Sequence, residues 1–520
     1  MRFRKKEEEA AMFFKILSAG TIGIEGYVVG VESDITKGIP GLTIVGLPNA
    51  SVRESRERIR SAISNSLFKY PNKKIVVNLS PADIRKEGSH YDLPIAMSIL
   101  RENYEIDDGV FESTAFLGEL SLDGRLKPVK GCTALLLGLL KEERVRRVII
   151  PKENAAEAFM VPRLEIIPVQ SLREVYELLT DDLSEAETVK KFVPGEEVHE
   201  GDFSEVKGCM MMKRAAEIAA SGFHNILMIG PPGSGKTMVA SRMNSIMPSL
   251  SDEEYLEVSQ IYSFLGEIPE SIIRRKRPFR SPHHSITYTS LIGGGSNSLP
   301  GEVVLAHNGI LFMDEFLEFD KKIAEGLRQP IEDKKVSISR VNQKLTYPSD
   351  FLLVISTNPC PCGNFQNPLK ECTCPESRIR SYLQRASAPM LDRIDIFVET
   401  LPIPYEELVE TGAEESSAAI RERVERTAEI QKERFRKEGI RCNSQMNSRQ
   451  IDKYCNLSAE AKSLVKVAFS AAGLTARSYH RTLKVSRTIA DMANSERVEV
   501  SHIAEALNFR RTFSKFWDKE

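Results

Sequence analysis

At 520 residues the chain is too long for one hydrophobic core and should form about two to four domains. It carries 71 Lys and Arg against 73 Asp and Glu, a balance that excludes a global electrostatic field for nucleic acid and leaves only local basic patches. No apolar run approaches the roughly 20 residues of a membrane span, and Met1-Arg-Phe-Arg-Lys-Lys lacks the apolar core of a secretory signal. A cytoplasmic protein with no membrane partner is expected.

Residues 1–11 read as a charged tail, with Met12 an alternative start. Residues 12–180 read as mixed α/β. Strand-like runs fall at Tyr27–Glu32, Leu42–Val45, Lys74–Asn78 and Val148–Ile150. Ser51–Ser66 places Val52, Ile59, Ala62 and Ile63 on one side of a charged remainder, which predicts a surface helix. Pro94–Leu100 and Cys132–Leu140 are apolar enough for buried helices. Three stretches stand out: Lys86-Glu-Gly-Ser-His-Tyr-Asp-Leu-Pro-Ile-Ala96, Gly118-Glu-Leu-Ser-Leu-Asp-Gly-Arg125, and Val148-Ile-Ile-Pro151 with Asn154. On these the region resembles the proteolytic domain of Lon and the related C-terminal domain of RadA, with folds similar to ribosomal protein S5. Lon's K-D-G-P-S-A-G pattern, aligned on Gly88, puts His90 at the nucleophile position. Ser89 falls one residue early, and no K-x-x-A lysine stands cleanly near Lys127 or Lys130. A serine–lysine dyad needs both groups within hydrogen-bond reach. The resemblance therefore implies a protease-like but inactive domain, with Ser89 and Lys130 as the catalytic alternative.

Residues 181–201 are acid-rich with turn residues and read as a linker. A nucleotide module is expected over 202–400, led by a helix at Met210–Ser221. The apolar strand Ile226–Ile229 runs into Gly230-Pro231-Pro232-Gly233-Ser234-Gly235-Lys236-Thr237, and a helix start follows. This is the pattern G-x-x-x-x-G-K-[ST] in its required context. The glycines let backbone N–H groups turn inward on an anion, and the helix start adds partial positive charge. Lys236 should reach the β- and γ-phosphates and Thr237 should offer its hydroxyl to Mg2+. The Gly/Ser-rich segment Leu291–Gly301, preceded by Arg277–Ser285, is too long for a plain crossover and reads as a mobile loop facing a substrate channel. Gly309–Glu315 is an apolar strand ending in two carboxylates. Asp314 is expected in the Mg2+ shell and Glu315 as the base that polarises water. Phe351–Asn358 is a third such strand, whose Asn358 amide should orient the same water. Together these point to ATP hydrolysis. Lys335–Thr346 has two alternating runs around a polar turn, a hairpin pattern. Lys335, Arg340 and Lys344 on it suit a phosphate backbone, with Arg340 near the tip. Cys360, Cys362, Cys372 and Cys374 cluster in a way that argues for zinc thiolates over disulfides, although C-x-C is tighter than usual zinc spacing. Residues 401–511 turn helical and charged, from Tyr405–Glu410 and Ser416–Lys437 to Ser501–Phe509, and 512–520 read as a tail.

R-P-F-R-S-P-H-H at Arg277–His284, G-G-G-S, P-G-E, L-A-H-N-G-I-L-F-M-D-E at Leu305–Glu315, N-P-C-P-C-G and L-D-R-I-D resemble the ComM/YifB family of magnesium-chelatase-like AAA+ ATPases. The resemblance covers nearly the whole chain. It implies an α/β fold with a Lon-like front, an AAA+ core and a helical lid. It also implies a homohexamer whose two long loops project into a central pore. By the same resemblance Asn358 is sensor 1, Arg393 a trans-acting arginine finger and Arg477 a sensor 2 contacting its own nucleotide. The implied work is helicase action or branch migration on single-stranded or branched DNA during uptake and recombination. The alternative is a chelatase- or chaperone-like ATPase acting on a protein partner.

Overall fold

The computed structural model describes residues 15–517, apart from 160, 182, 184–185, 190–200, 267, 296–297, 340–343, 403–413 and 472–474. The chain divides into two units, Met1–Gly195 with Ser251–Arg274 and Glu196–Leu250 with Arg275–Glu520.

In the first unit the strands are β1 (Ile16–Ile22), β2 (Glu25–Thr36), β3 (Gly41–Val45), β4 (Lys74–Ser80), β5 (Thr114–Phe116), the short pair β6 (Glu119–Leu120) and β7 (Leu126–Lys127), β8 (Arg147–Pro151) and β9 (Glu165–Val169). Seven of them form one sheet in the order β3-β4-β2-β1-β5-β8-β9. Its centre, β4-β2-β1, is antiparallel, while β3 and the β5-β8-β9 side pair in parallel. Alternation along β4 buries Ile75, Val77 and Leu79 on one face. The helix Ala50–Asn65 starts where Asn49 Oδ1 accepts from the Val52 N–H at 3.0 Å, and it buries Val52, Ile59, Ala62 and Ile63 as its pattern predicts. The apolar helix Cys132–Leu139 crosses β2 at glycine: a Cβ on Gly26 would fall 2.0 Å from the Ala134 carbonyl oxygen. Strand β1 was not legible in the sequence, because a central strand buried along most of its length on both faces shows no polar alternation.

A linear reading places 251–274 inside the nucleotide module, yet this segment belongs to the first unit. Its helix Asp252–Leu265 opens with a Ser251–Glu254 capping box. The Tyr255 ring lies 6.1 Å from Phe159, Ser263 Oγ donates to the Glu157 carboxylate at 2.6 Å, and the Thr133 N–H donates to Ser263 at 3.1 Å. Those partners, invisible in sequence order, draw the segment out of the module.

The second unit carries β10 (Ile226–Ile229), β11 (Phe279–Arg280), the short pair β12 (Gly293–Gly294) and β13 (Leu299–Pro300), β14 (Ile310–Met313), the hairpin β15 (Lys335–Ser339) and β16 (Lys344–Pro348), β17 (Leu352–Thr357) and β18 (Ile396–Glu399). Five make a wholly parallel sheet in the order β11-β14-β17-β10-β18. Helices Met210–Gly222, Ser417–Phe435 and Ala476–Met492 contribute to the core beside it. The C-terminal region is helical as expected, with the stretch 405–410 lying outside the described residues. The last helix, Val500–Trp517, runs well into the expected tail. Phe513 and Trp517 continue it by packing on Phe397 of β18, at ring separations of 5.2 and 6.1 Å.

Candidate functional site

The four residues of β10 are wholly buried between β17 and β18, so the chain leaves the sheet at Gly230. A Cβ there would lie 2.0 Å from the Thr400 hydroxyl and 2.3 Å from its carbonyl oxygen. Gly233 and Gly235 have φ of 77° and 82°, which lets neighbouring N–H groups converge on one anion. Ser234 Oγ donates to the Pro231 carbonyl at 2.9 Å and shares a 2.7 Å hydrogen bond with the Thr400 hydroxyl, which pins the loop. Lys236 Nζ donates to the carbonyls of Gly230 and Pro231 at 2.8 Å and lies 3.5 Å from Asn358 Oδ1. Burial pushes its pKa down to about 8, against the opposing pull of Asp314 and Glu315. A buried ammonium held by carbonyls gains from an anion, and a polyphosphate supplies one.

Thr237 Oγ1 donates to Asp314 Oδ2 at 2.9 Å. The other Asp314 oxygen accepts from the Glu315 N–H at 3.0 Å and from the Ser356 hydroxyl. A hydroxyl beside a carboxylate is a set of hard oxygen donors, and it fits Mg2+. Glu315 is exposed and has φ 51°, a conformation that few non-glycine residues adopt. Gly230, Asp314 and Asn358 each follow the end of a parallel strand, and β14, β17 and β10 are adjacent. The sequence-predicted phosphate loop, acids and amide therefore meet at one sheet edge. Two contributors had no sequence signal, Ser356 behind Asp314 and Thr400 against the loop.

Arg393 and Arg477 stand elsewhere. Both line a cavity of about 270 Å³ with Asn225, Asp392, Asp395 and Arg481, and no phosphate-loop residue lines it. Asn225 immediately precedes β10, and its carbonyl accepts from the Asp395 N–H at 2.9 Å just before β18. The cavity therefore lies at the N-terminal edge of strands whose C-terminal edge carries the phosphate loop, roughly 13 Å of strand away. Arg393 is ion-paired with Glu332 and donates to the Pro389 carbonyl, and Arg477 Nη1 lies 3.9 Å from Asp392. Burial alone would raise the Asp395 pKa. Arg481, at 2.7 Å, and His224 overcome it and hold the carboxylate well below its usual range.

The two long loops meet. Val336 is buried on β15, a Cβ on Gly293 would fall 2.9 Å from Ile338 Cδ1, and the Tyr347 hydroxyl donates to the Ser298 carbonyl at 2.9 Å. The hairpin register pairs Lys335 with Pro348 and Ser339 with Lys344. Lys335 is exposed; Arg340 lies outside the described residues. The sulfurs of Cys360, Cys362, Cys372 and Cys374 all lie within 4.8 Å of one another, and none of the four is paired in a disulfide.

In the first unit His90 is buried, with Nε2 3.0 Å from the Ala19 carbonyl, and burial pushes its pKa down to about 4. Ser89 Oγ is bonded to the Glu119 carboxylate. Among the described residues no hydrogen bond joins Ser89 to Lys130, which is exposed.

Three family models match: "Magnesium chelatase, subunit ChlI" over residues 202–408, "Subunit ChlI of Mg-chelatase" over 31–154, and "Magnesium chelatase, subunit ChlI C-terminal" over 414–510. The competence protein ComM of Haemophilus influenzae is 40% identical over 500 residues, covering 95% of this chain and 97% of that protein. The protein YifB of Escherichia coli is 40% identical over 495 residues, covering 94% and 95%. The archaeal Lon protease of Pyrococcus abyssi is 32% identical over 110 residues, 20% of this chain and 11% of that protein.

Two expectations follow from these geometries. Lys236→Ala should weaken nucleotide binding, whereas Glu315→Gln should bind ATP normally and hydrolyse it roughly 10²- to 10⁴-fold more slowly. Parallel titrations with a fluorescent nucleotide and single-turnover assays check this, and parent-rate hydrolysis by Glu315→Gln would remove Glu315 as the base. The second concerns pH. An unfolded histidine titrates near 6.5 and buried His90 near 4. Below about pH 6.5 the unfolded state takes up a proton that the native state refuses. Stability is thus full above pH 6.5 and falls towards pH 4, by about 2 kcal/mol at pH 5. Amide exchange in the β1–β2 ladder at pH 7 and pH 5 should show this loss in the parent and not in His90→Gln; equal losses in both would refute it.

Proposed function

The chain belongs to the ComM/YifB family of magnesium-chelatase-like AAA+ ATPases, and on that premise we propose that it is a hexameric, ATP-driven motor that moves DNA. The observation that carries the proposal is the division of the arginines from the phosphate loop across the sheet. Arg393 and Arg477 stand about a strand's length from the cradle of their own subunit, so they complete a site only if a neighbouring copy brings them to it. A ring of identical subunits repeats that contact and closes on itself. The shared cavity supports both arginines acting in trans, in place of the cis role that the resemblance implied for Arg477.

Within one site, the loop Gly230–Thr237 binds the triphosphate, and Lys236 exchanges its carbonyl partners for phosphate oxygens. Thr237 and Asp314 would hold Mg2+, which neutralises charge on the phosphates. Glu315 takes the proton of the attacking water, and Asn358 orients that water. Arg393 from the neighbour stabilises charge on the transferring phosphoryl group, an effect of about 10³- to 10⁵-fold in NTPases of known mechanism. The paired loops around β12–β13 and β15–β16 supply the surface that grips substrate. Their polar and basic composition suits a phosphate backbone better than an unfolded polypeptide. The relative named for competence supports a role in DNA uptake and recombination in the cytoplasm, and among the described residues no helix is long and apolar enough to cross a membrane. The four clustered thiols suit one zinc ion. In the first unit a buried neutral His90 and a Ser89 engaged by Glu119 support a Lon-like domain without proteolytic activity.

Mixing Arg393→Ala with Lys236→Ala protein should restore part of the ATPase that each lacks alone, because mixed rings contain complete sites. No rescue in mixtures shown to co-assemble would exclude trans action. DNA should stimulate the parent ATPase, and Arg340→Ala/Lys344→Ala should keep basal turnover while losing DNA affinity. The salt dependence of binding should become shallower by roughly one unit per phosphate contact removed. Unchanged affinity and slope would take the hairpin off the DNA path, and stimulation by a protein fraction without any by DNA would favour the protein-remodelling alternative.

A further inference from the structure

Resting on the reading of the four thiols as zinc ligands, we propose that this metal site braces the nucleotide site, so that the affinity for ATP depends on zinc. Three independent observations lead there. First, the sulfur geometry is that of a coordination shell. Cys360 and Cys362 sulfurs are 3.4 Å apart, Cys360 and Cys372 3.7 Å, and Cys362 and Cys372 3.6 Å. A tetrahedron with Zn–S near 2.3 Å has edges of roughly 3.8 Å. The Phe365 N–H donates to Cys360 Sγ at 3.3 Å, the kind of outer contact that orients a ligating thiolate.

Second, the site is tied by a two-residue tether to the catalytic edge. Cys360 is fully buried two positions after Asn358, the amide that approaches Lys236. Whatever fixes the Cys360 sulfur limits where that amide can stand. Third, the same loop presses on the phosphate cradle itself. Gly363 has φ 78°, and a Cβ on it would fall 2.5 Å from Pro232 Cδ, so the backbone between two ligands lies against the middle of the phosphate loop. Phe365 then packs edge-on to Phe516 at 6.4 Å, and the neighbouring Trp517 Nε1 donates to the Leu383 carbonyl. The segment is thus held on its outer side by the last helix and on its inner side by Pro232. Four thiols in a C-x-C pair of pairs have no regular secondary structure between them to keep that shape, and one ion bonded to all four does so.

The chemistry is structural. Zinc in a closed four-sulfur shell has no open position for substrate, so it acts here by holding Pro232 and Asn358 in place for the phosphates. Loss of one or two cradle hydrogen bonds to a charged group corresponds to a drop in affinity of about ten- to a hundredfold.

The test uses the full chain. Metal analysis should find about one zinc per chain, and cobalt replacement should give the absorption of a tetrahedral thiolate site. Removing zinc with a chelator under reducing conditions should weaken binding of a fluorescent ATP analogue by roughly tenfold or more, and returning zinc should restore it. Cys372→Ser/Cys374→Ser should lose both metal and affinity. Gly363→Val should keep its zinc but bind nucleotide weakly, because its side chain displaces Pro232; if the cysteine variant fails to fold, the chelator experiment on the parent carries the zinc test. Protein that neither contains zinc nor takes up cobalt would overturn the zinc reading. Zinc-stripped parent that binds nucleotide as tightly as zinc-replete parent would overturn the brace and leave the metal site standing.

Discussion

Parallel pairing of β14, β17 and β10 is the constraint on which the rest of the second unit depends. In a parallel sheet every strand exits at the same edge, so the residues that follow each strand are brought together however far apart they lie in sequence. Gly230, Asp314 and Asn358 are neighbours for that reason alone. The hydrogen bond from Thr237 to Asp314 then locks the first helix after the loop to the end of β14, and Ser356 supports the same carboxylate from β17. Asp314 and Asn358 follow directly on buried strands, and at Glu315 the chain turns through a strained conformation.

The same rule sends Asn225, Arg393 and Asp395 to the other edge, where the electrostatics have the opposite character. At the phosphate edge a cation is buried with carbonyls for company and burial lowers its pKa. At the arginine edge a carboxylate is buried with cations for company and its charge is enforced. One edge is poised to receive an anion. The other presents guanidinium groups paired with acids of the same unit.

In the first unit the packing around His90 can be followed from the sheet outward. Its sheet, its two buried helices and the close Gly26–Gly138 crossing are complete. The position expected for a nucleophile is filled by an imidazole that burial keeps neutral, bonded to a backbone carbonyl. A side chain so enclosed is part of the packing of the sheet.

Local pattern was enough to find the phosphate loop, the acids after β14, the amide after β17 and the cysteine cluster, because each is written within a dozen or so residues. The alternation of β4 and the amphipathic face of Ala50–Asn65 were legible for the same reason. Strand β1 was not, since burial on both faces erases the alternation that marks a strand. Nor was the passage of Ser251–Arg274 into the first unit, which depends on Thr133, Glu157 and Phe159, more than ninety residues earlier. The sequence by itself determined which groups are candidates to handle phosphate, metal and water. The tertiary structure decided which of them meet: the common direction of the strands gathers the loop, acid and amide at one edge and carries Arg393 to the other, where the helix Ala476–Met492 brings Arg477.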